Sequence, residues 1–174
     1  MNFSDLLIKR RSIRKIPPVC LFVALTKLLL GRLKLQRNNI GLNVSTGNTD
    51  KYNIFRHISI SPIHHEKDNC VFIVSFKFAR LTFKANKIAS IIPMLLIAGY
   101  PGFMQKIYAI NPKNGYWQGL YQWKSIKHLE AYKKSFVFRM MNERALKGSI
   151  QDDVIKNYQL DKIIDTSKLQ NEQH

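Results

Sequence analysis

The stretch Gly99–Ser135, GYPGFMQKIYAINPKNGYWQGLYQWKSIKHLEAYKKS, decides the fold. Two runs rich in aromatic and aliphatic residues, Met104–Ile110 and Tyr116–Trp123, flank Asn111-Pro112-Lys113-Asn114-Gly115. Asn-Gly supplies the positive φ angles that a tight turn needs, so the two runs form an antiparallel hairpin. Alternation along the returning strand puts Trp117, Gly119, Tyr121 and Trp123 on one face. Tyr116, Gln118, Leu120 and Gln122 take the other. Ser125 then stands where the N-cap of a helix carrying Leu129, Tyr132 and Lys133 belongs.

Upstream, Cys70–Phe78 (CVFIVSFKF) has the β-branched and aromatic density of a strand, with Phe72, Val74, Phe76 and Phe78 on one side. Ala85–Ala98 predicts a helix, kinked or broken at Pro93 because proline lacks the amide donor. Downstream, Ser135 precedes a second short helix over Phe136–Ala145, stopped at Gly148. A last strand is expected around Val154–Leu160, within Asp152–Ile164. Strand, helix, strand, hairpin, strand, helix, strand is the order of an α+β, ferredoxin-like split β-α-β sheet with its helices on one face. A domain of under about 100 residues has little chain to spare for the other face, so pairing with a second copy into a dimeric α/β barrel is the economical cover. This organisation gives a barrel domain over residues 69–165 and a polar tail over 166–174.

Residues 1–37 carry nine basic side chains against Asp5 alone. Pro17-Pro18 opens an apolar run, Val19–Leu35, interrupted by Lys27, Arg32 and Lys34. That interruption leaves it short of the roughly 20 apolar residues that span a bilayer. An interfacial helix on acidic lipid and a helix packed on the domain or across a dimer interface both remain open for it. A cleaved signal peptide is disfavoured, since no small-residue cleavage site follows. Residues 38–68, rich in Asn, Gly, Ser and Thr at first, read as a linker holding at most short strands, one of them near Ile54–Ile63.

The chain has 28 Lys and Arg against 11 Asp and Glu, a net charge of +17, which raises the question of an anionic partner. From residue 69 onward the excess is spread thinly, and no aromatic RNA-binding motif, zinc-finger spacing or helix-turn-helix pattern accompanies it, so nucleic acid is not the expected partner. Cys20 and Cys70 lie far apart among apolar residues and read as buried thiols in a reducing, cytoplasmic setting. His64-His65 read as a solvated loop rather than a zinc site.

Gly102-Phe103, Gly119-Leu120-Tyr121-Gln122-Trp123, Ser125 and Ala131-Tyr132 together resemble the pattern of the YdhR-like monooxygenase family, relatives of the antibiotic-biosynthesis monooxygenases. The likeness covers about residues 70–165. It implies a homodimer with a ligand cavity between sheet and helices, and oxidation of a small hydrophobic or aromatic compound without metal or flavin, so no cofactor is expected. A non-catalytic ligand-binding or assembly module of the same fold is the alternative. The residues themselves nominate Tyr108, Trp117, Tyr121, Trp123 and Tyr132 as the aromatic walls of a substrate site, with core packing as their plainer role. His128 is the one histidine of the block and the candidate catalytic base, although Lys127 and Glu130 beside it suggest an exposed helix face. Arg139 and Arg144 are candidates to hold an anionic substrate, again with the surface as their ordinary place. Asp152-Asp153 precede a strand and so should point to opposite sides. A haem would ask for an axial His or Cys on a cavity wall, where only His128 or Cys70 is offered.

Overall fold

A computed structural model describes residues 16–46, 50–63 and 67–172. The basic stretch before Ile16 and the His64-His65 pair lie outside the described residues. The strands are β1 (Leu33–Leu35), β2 (Asn43–Val44), β3 (Tyr52–Ile60), β4 (Cys70–Phe76), β5 (Phe103–Ile110), β6 (Trp117–Trp123) and β7 (Gln151–Lys156). The helices are α1 (Pro17–Leu29), α2 (Phe83–Ala89), α3 (Ile91–Gly99), α4 (Ile126–Lys133), α5 (Phe136–Arg144) and α6 (Leu160–Glu172). One antiparallel sheet runs β1-β3-β5-β6-β4-β7, with β2 paired to β3 off that path. Within it, β5-β6-β4-β7 and the helices between them have the ferredoxin-like arrangement, so the fold is α+β.

The hairpin forms where the sequence places it, and Pro93 sits in the first turn of α3, where its missing amide costs no helical hydrogen bond. The break from α2 falls at Ser90, which ends one helix and precedes the other. Three expectations change. The short strand expected near Ile54–Ile63 within a linker is β3, which is nine residues long, begins at Tyr52 and pairs with β5 along most of its length. The apolar run Val19–Leu35 divides at Gly31, whose positive φ of 65° turns the chain out of α1 and into β1. The last strand stops at Lys156; Asn157 at φ 52° reverses the chain, and what looked like strand end and frayed tail is α6. Leu160, Ile163, Ile164 and Ser167 are its buried face, at helical rather than strand spacing.

Every residue of β4 and β6 is buried, so both faces of the sheet are covered. On one face Phe72, Val74, Tyr121 and Trp123 pack against Cys20 and Ala24 of α1, Ile97 of α3, Leu129 and Tyr132 of α4 and Val137 of α5. On the other, Val71, Ile73, Ile107 and Leu120 meet Val44 of β2 and the apolar face of α6. The cover that the sequence argument sought in a second copy is thus partly supplied by this chain. A buried polar chain fastens α6 there. Asn39 Nδ2 donates to His57 Nδ1 (2.9 Å), His57 Nε2–H donates to Gln105 Oε1 (3.0 Å), and Gln105 Nε2 donates to Gln122 Oε1 (2.8 Å) and Asp161 Oδ1 (3.0 Å). The Leu160 amide closes onto the same Gln122 oxygen at 3.0 Å.

Helix α1 packs its narrow side, Cys20 and Ala24, on α3, where the Gly99 backbone lies directly against the Cys20 carbonyl. Lys27 Nζ donates to the Ala98 carbonyl at 2.8 Å and ties the far end down. A methyl group at Gly99 would overlap backbone atoms on α1, which cannot rotate aside. Gly99→Ala should therefore destabilise the fold by an overpacking cost of about 1–3 kcal/mol, read as a lower urea midpoint with an unchanged slope. A midpoint equal to wild type would mean that α1 is not seated as described.

Candidate functional site

The hairpin strands carry the site because their alternation delivers side chains to the helix-covered face in register. Across the sheet, one row reads Ile58, Lys106, Tyr121, Phe72 and Val154, and the next reads Arg56, Tyr108, Gly119 and Val74. Gly119 lacks a side chain where the Tyr121 ring folds back; a Cβ there would meet that ring at 2.7 Å. The absent side chain leaves a hollow beside Tyr108 and Lys106, roofed by α3 and α5. It encloses about 570 Å³ of empty space including its open mouth, of which about 50 Å³ admits the centre of a water molecule. Met140, Met141 and Arg144 of α5 line it and are half-exposed.

Four of the five wall candidates meet in this cleft: Tyr108, Trp117, Tyr121 and Tyr132. Trp123 stands behind the wall, fully buried and stacked on Tyr132 with ring centroids 4.8 Å apart, so it holds that tyrosine rather than a ligand. His128 does not join them. It packs over Gly102 and shares a 2.9 Å hydrogen bond with Ser125 Oγ at the start of α4, outside the cleft lining. That hydroxyl was expected to cap the helix and serves the imidazole instead. Asp152 pairs with Lys133 at 2.8 Å, while Asp153 bonds its own chain at Val154. Cys70 is buried with its thiol pushed up to about 11 by burial, and neither it nor His128 lines the cleft, so the residues do not fit an axial haem ligand there. Arg139 is exposed, whereas Arg144 reaches the cleft edge, donating to Asn86 Oδ1 at 3.1 Å with its guanidinium over the Phe78 ring.

The residue that sequence reasoning missed is Lys106. Its side chain is 5% exposed, and its Nζ lies 3.9 Å from the Tyr108 ring centroid and 4.0 Å from that of Tyr121. Among the described residues it has no hydrogen-bond or ion-pair partner, and the lining holds no carboxylate. Burial, then the positive charge of Arg56, lowers its pKa well below the ordinary lysine value. Arg56 itself is committed elsewhere, to Ser90 Oγ (2.7 Å) and the Lys87 carbonyl (3.0 Å). The signal was present in the sequence: within MQKIYAI, Lys106 has the same parity as Tyr108.

The tyrosine hydroxyls are equally unsettled. That of Tyr108 is buried without a hydrogen-bond partner, while those of Tyr121 and Tyr132 lie against one another and Tyr121 also reaches Met141 Sδ at 3.8 Å. Burial pushes the pKa of all three up, with the electrostatic proximity of Tyr121 raising Tyr108 and Tyr132 further. They are therefore neutral O–H donors at physiological pH. Buried polar groups in a folded protein nearly always have partners, and clusters of exceptions mark places where a ligand or water supplies them.

No protein-family model matches the chain, and no curated protein matches it. Solved structures similar in chain course include a monooxygenase-like protein of Listeria innocua, with 12% identity and a TM-score of 0.49, matched over 66% of this chain and 67% of that one. Another is a heme-degrading enzyme of Listeria monocytogenes, with 14% identity and a TM-score of 0.47, over 75% and 90% of the two chains. In other such structures the match spans 52% of the other chain's length. At these values the likeness says nothing of chemistry.

The buried amine has a measurable consequence. Because the folded state holds Lys106 deprotonated below the unfolded-state value of about 10.4, the unfolded chain binds the extra proton and stability falls as pH drops through that window. Lys106→Met removes the penalty, so the variant should be more stable than wild type at neutral pH. Its advantage should shrink as pH rises toward about 10.4. Paired urea titrations across that range check this, and an advantage that grew with pH would contradict a deprotonated buried amine.

Proposed function

We propose that the chain binds a small, flat hydrophobic or aromatic compound in the cleft between the sheet and α3 and α5, and oxidises it as a monooxygenase-like enzyme without metal or flavin. The observation that carries this reading is a buried Tyr108 hydroxyl without a hydrogen-bond partner beside the Lys106 amine, which lies on the Tyr108 and Tyr121 ring faces, inside aromatic walls. Aromatic walls bind a ring by area and dispersion, and a few polar groups fix its orientation. The cleft is narrow, so entry of a ring requires Met140 and Met141 to change rotamer, which unbranched thioether side chains do readily. Closure behind the ligand excludes water, which cofactor-free reaction of an electron-rich ring with dioxygen requires. One oxygen atom enters the substrate carbon in place of two hydrogens, which leave with the second oxygen atom as water. Kinship with the YdhR-like family is part of this reading and is supported by the Gly119–Trp123 strand in its place beside α4.

Oxygen consumption with a panel of hydroxylated aromatics tests it. Turnover should fall at least about tenfold in Trp117→Ala, which removes a wall, while folding is retained. Tryptophan quenching by the same compounds without oxygen uptake would instead favour the second reading, a ligand-binding module of this fold, which the lack of any positioned histidine favours.

The same reading extends to where the protein works. Among the described residues no helix is long and apolar enough to cross a membrane. Helix α1 nonetheless turns a stripe of large apolar side chains outward: Phe22 is 71% exposed, Leu29 88%, and Leu25 lies between them on the same side. Arg32 and Lys34 follow it, and five basic residues precede it between Lys9 and Lys15. A bilayer rich in acidic lipid suits that combination of apolar stripe and flanking cations. The homodimer belongs to the proposal too, through the part of the sheet face that α6 leaves open. In vesicle flotation, Phe22→Ser with Leu29→Ser should abolish association with acidic vesicles; equal flotation of wild type and variant would remove the membrane from the proposal.

A further inference from the structure

We infer that the junction of α2 and α3 inserts into an acidic bilayer surface and sets the mouth of the cleft against the lipid. The inference rests on the membrane part of the proposed function and goes beyond it, since that reading needs only α1. At this junction Ile88 is 69% exposed and Ile92 65%, with Leu81 and Ile91 exposed beside them. Apolar residues scattered singly over a surface are ordinary. These are not scattered. Ile88, Ile91 and Ile92 stand three and four residues apart across Ser90, which keeps right-handed helical dihedrals (φ −74°, ψ −7°), so they share one face. They form a continuous apolar cap, the kind of surface that marks an interaction site.

The cap is held in place from beneath. Ser90 Oγ donates to the Lys87 carbonyl at 2.7 Å and accepts from Arg56 Nη1 at 2.7 Å. Asn86 Nδ2 donates to the carbonyls of Arg80 and Leu81, both at 3.1 Å, and so fixes the loop that exposes Leu81 at a φ of 72°. The Phe83 ring packs on Trp117 with centroids 5.3 Å apart. Charge then names the partner. From Asn69 to Leu129 the chain has no Asp or Glu, and Arg80, Lys84 and Lys87 flank the isoleucines. A second copy seated here about a two-fold axis would set these cations against themselves. Acidic headgroups would instead receive them while the cap enters the acyl boundary. The cap and α1 belong to one layer, since both pack on the sheet face that carries Phe72, Trp117 and Tyr121. Ser90 and Pro93 line the cleft, and Ile91 and Ile92 between them are exposed. A surface that seats the cap therefore reaches the cleft mouth within one helical turn.

The test uses the full chain, whose cysteines Cys20 and Cys70 are buried, so a thiol-reactive fluorophore can be placed at one introduced cysteine at a time. Ile92→Cys, Met140→Cys, Phe22→Cys and Asp165→Cys are labelled and mixed with nitroxide-bearing phosphatidylcholine vesicles, with and without phosphatidylglycerol. Labels at Ile92 and at Met140 in the cleft mouth should be quenched on the acidic vesicles. The label at Asp165, on the helix covering the opposite sheet face, should not. Ile88→Ser with Ile92→Ser should weaken binding at least about tenfold, since two branched side chains no longer enter the lipid. Arg80→Gln with Lys84→Gln should weaken it by a similar factor on acidic vesicles alone. All four positions are exposed, so the urea midpoints should stay near wild type. Quenching at Phe22 but not at Ile92 would overturn the inference and leave the α1 reading standing. Quenching at Ile92 but not at Phe22 would support the inference and overturn the α1 reading. Quenching at Ile92 without Met140 would overturn the placing of the cleft mouth, and equal binding to both vesicles would overturn the acidic partner. A dimer that sediments without vesicles and is lost in Ile88→Ser with Ile92→Ser would assign the cap to a second copy instead. No association of wild type with either vesicle would overturn both membrane readings and leave the oxygenase reading untouched.

Discussion

The sheet is buried on both faces across β4 and β6, and most of the molecule is a consequence of that constraint. A strand buried on both sides has nowhere to send a polar side chain except toward another polar group. The two faces answer this differently. Beneath α6, His57, Gln105, Gln122 and Asp161 connect into one hydrogen-bonded chain, and that chain fixes the start of the helix. Beneath α3 and α5, Lys106 is held between the Tyr108 and Tyr121 ring faces, and the Tyr108 hydroxyl is buried without a hydrogen-bond partner. Neither face is fully closed, since Asn39 Oδ1, Gln118 Oε1 and Gln122 Nε2 on the α6 side are also buried without partners. The two differ in kind: an amide and imidazole network on one side, phenols and an amine among rings on the other.

The same contrast explains why the candidate site was only half legible in the sequence. The walls could be read because strand alternation is strict: Trp117, Tyr121 and Trp123 had to share a face, and they do. Their depth could not be read, since the stacking of Trp123 behind Tyr132 depends on how α4 crosses the sheet. Lys106 was passed over because a lysine in a basic chain invites the solvated explanation, and only the pairing of its row with Tyr121 and Ile58 brings it to the covered face, where it is 5% exposed. His128 drew attention for its chemistry, yet its position is set by Ser125 and Gly102 at the end of the hairpin, away from the cleft. The fold core was legible from the turn at Asn114-Gly115 and the strand–helix order. Strand β3 was legible only as a short strand near Ile54–Ile63; its full length and its pairing to β5 were not, because the residues before it have loop composition and the pairing is long-range.

Helix α6 bears on assembly as well. A bare ferredoxin-like sheet face would oblige a second copy to cover it, and here Leu160, Ile163 and Ile164 do part of that work within one chain. What stays open beside them is a more polar trough, lined in part by Tyr52, Ser75, Gln118, Asp50 and Asp153. Any partner there meets acid and amide groups rather than a continuous apolar surface. A homodimer through this face would accordingly be held by polar contacts at its edges, and its stability would respond to salt more than an apolar interface does.

The aromatic cleft has a further logic in its charges. Tyrosines whose pKa is raised by burial remain donors at every physiological pH, and a lysine whose pKa is lowered by burial becomes an acceptor. Burial therefore moves the two kinds of group in opposite directions, while the guanidinium of Arg144 at the cleft edge keeps a positive charge there.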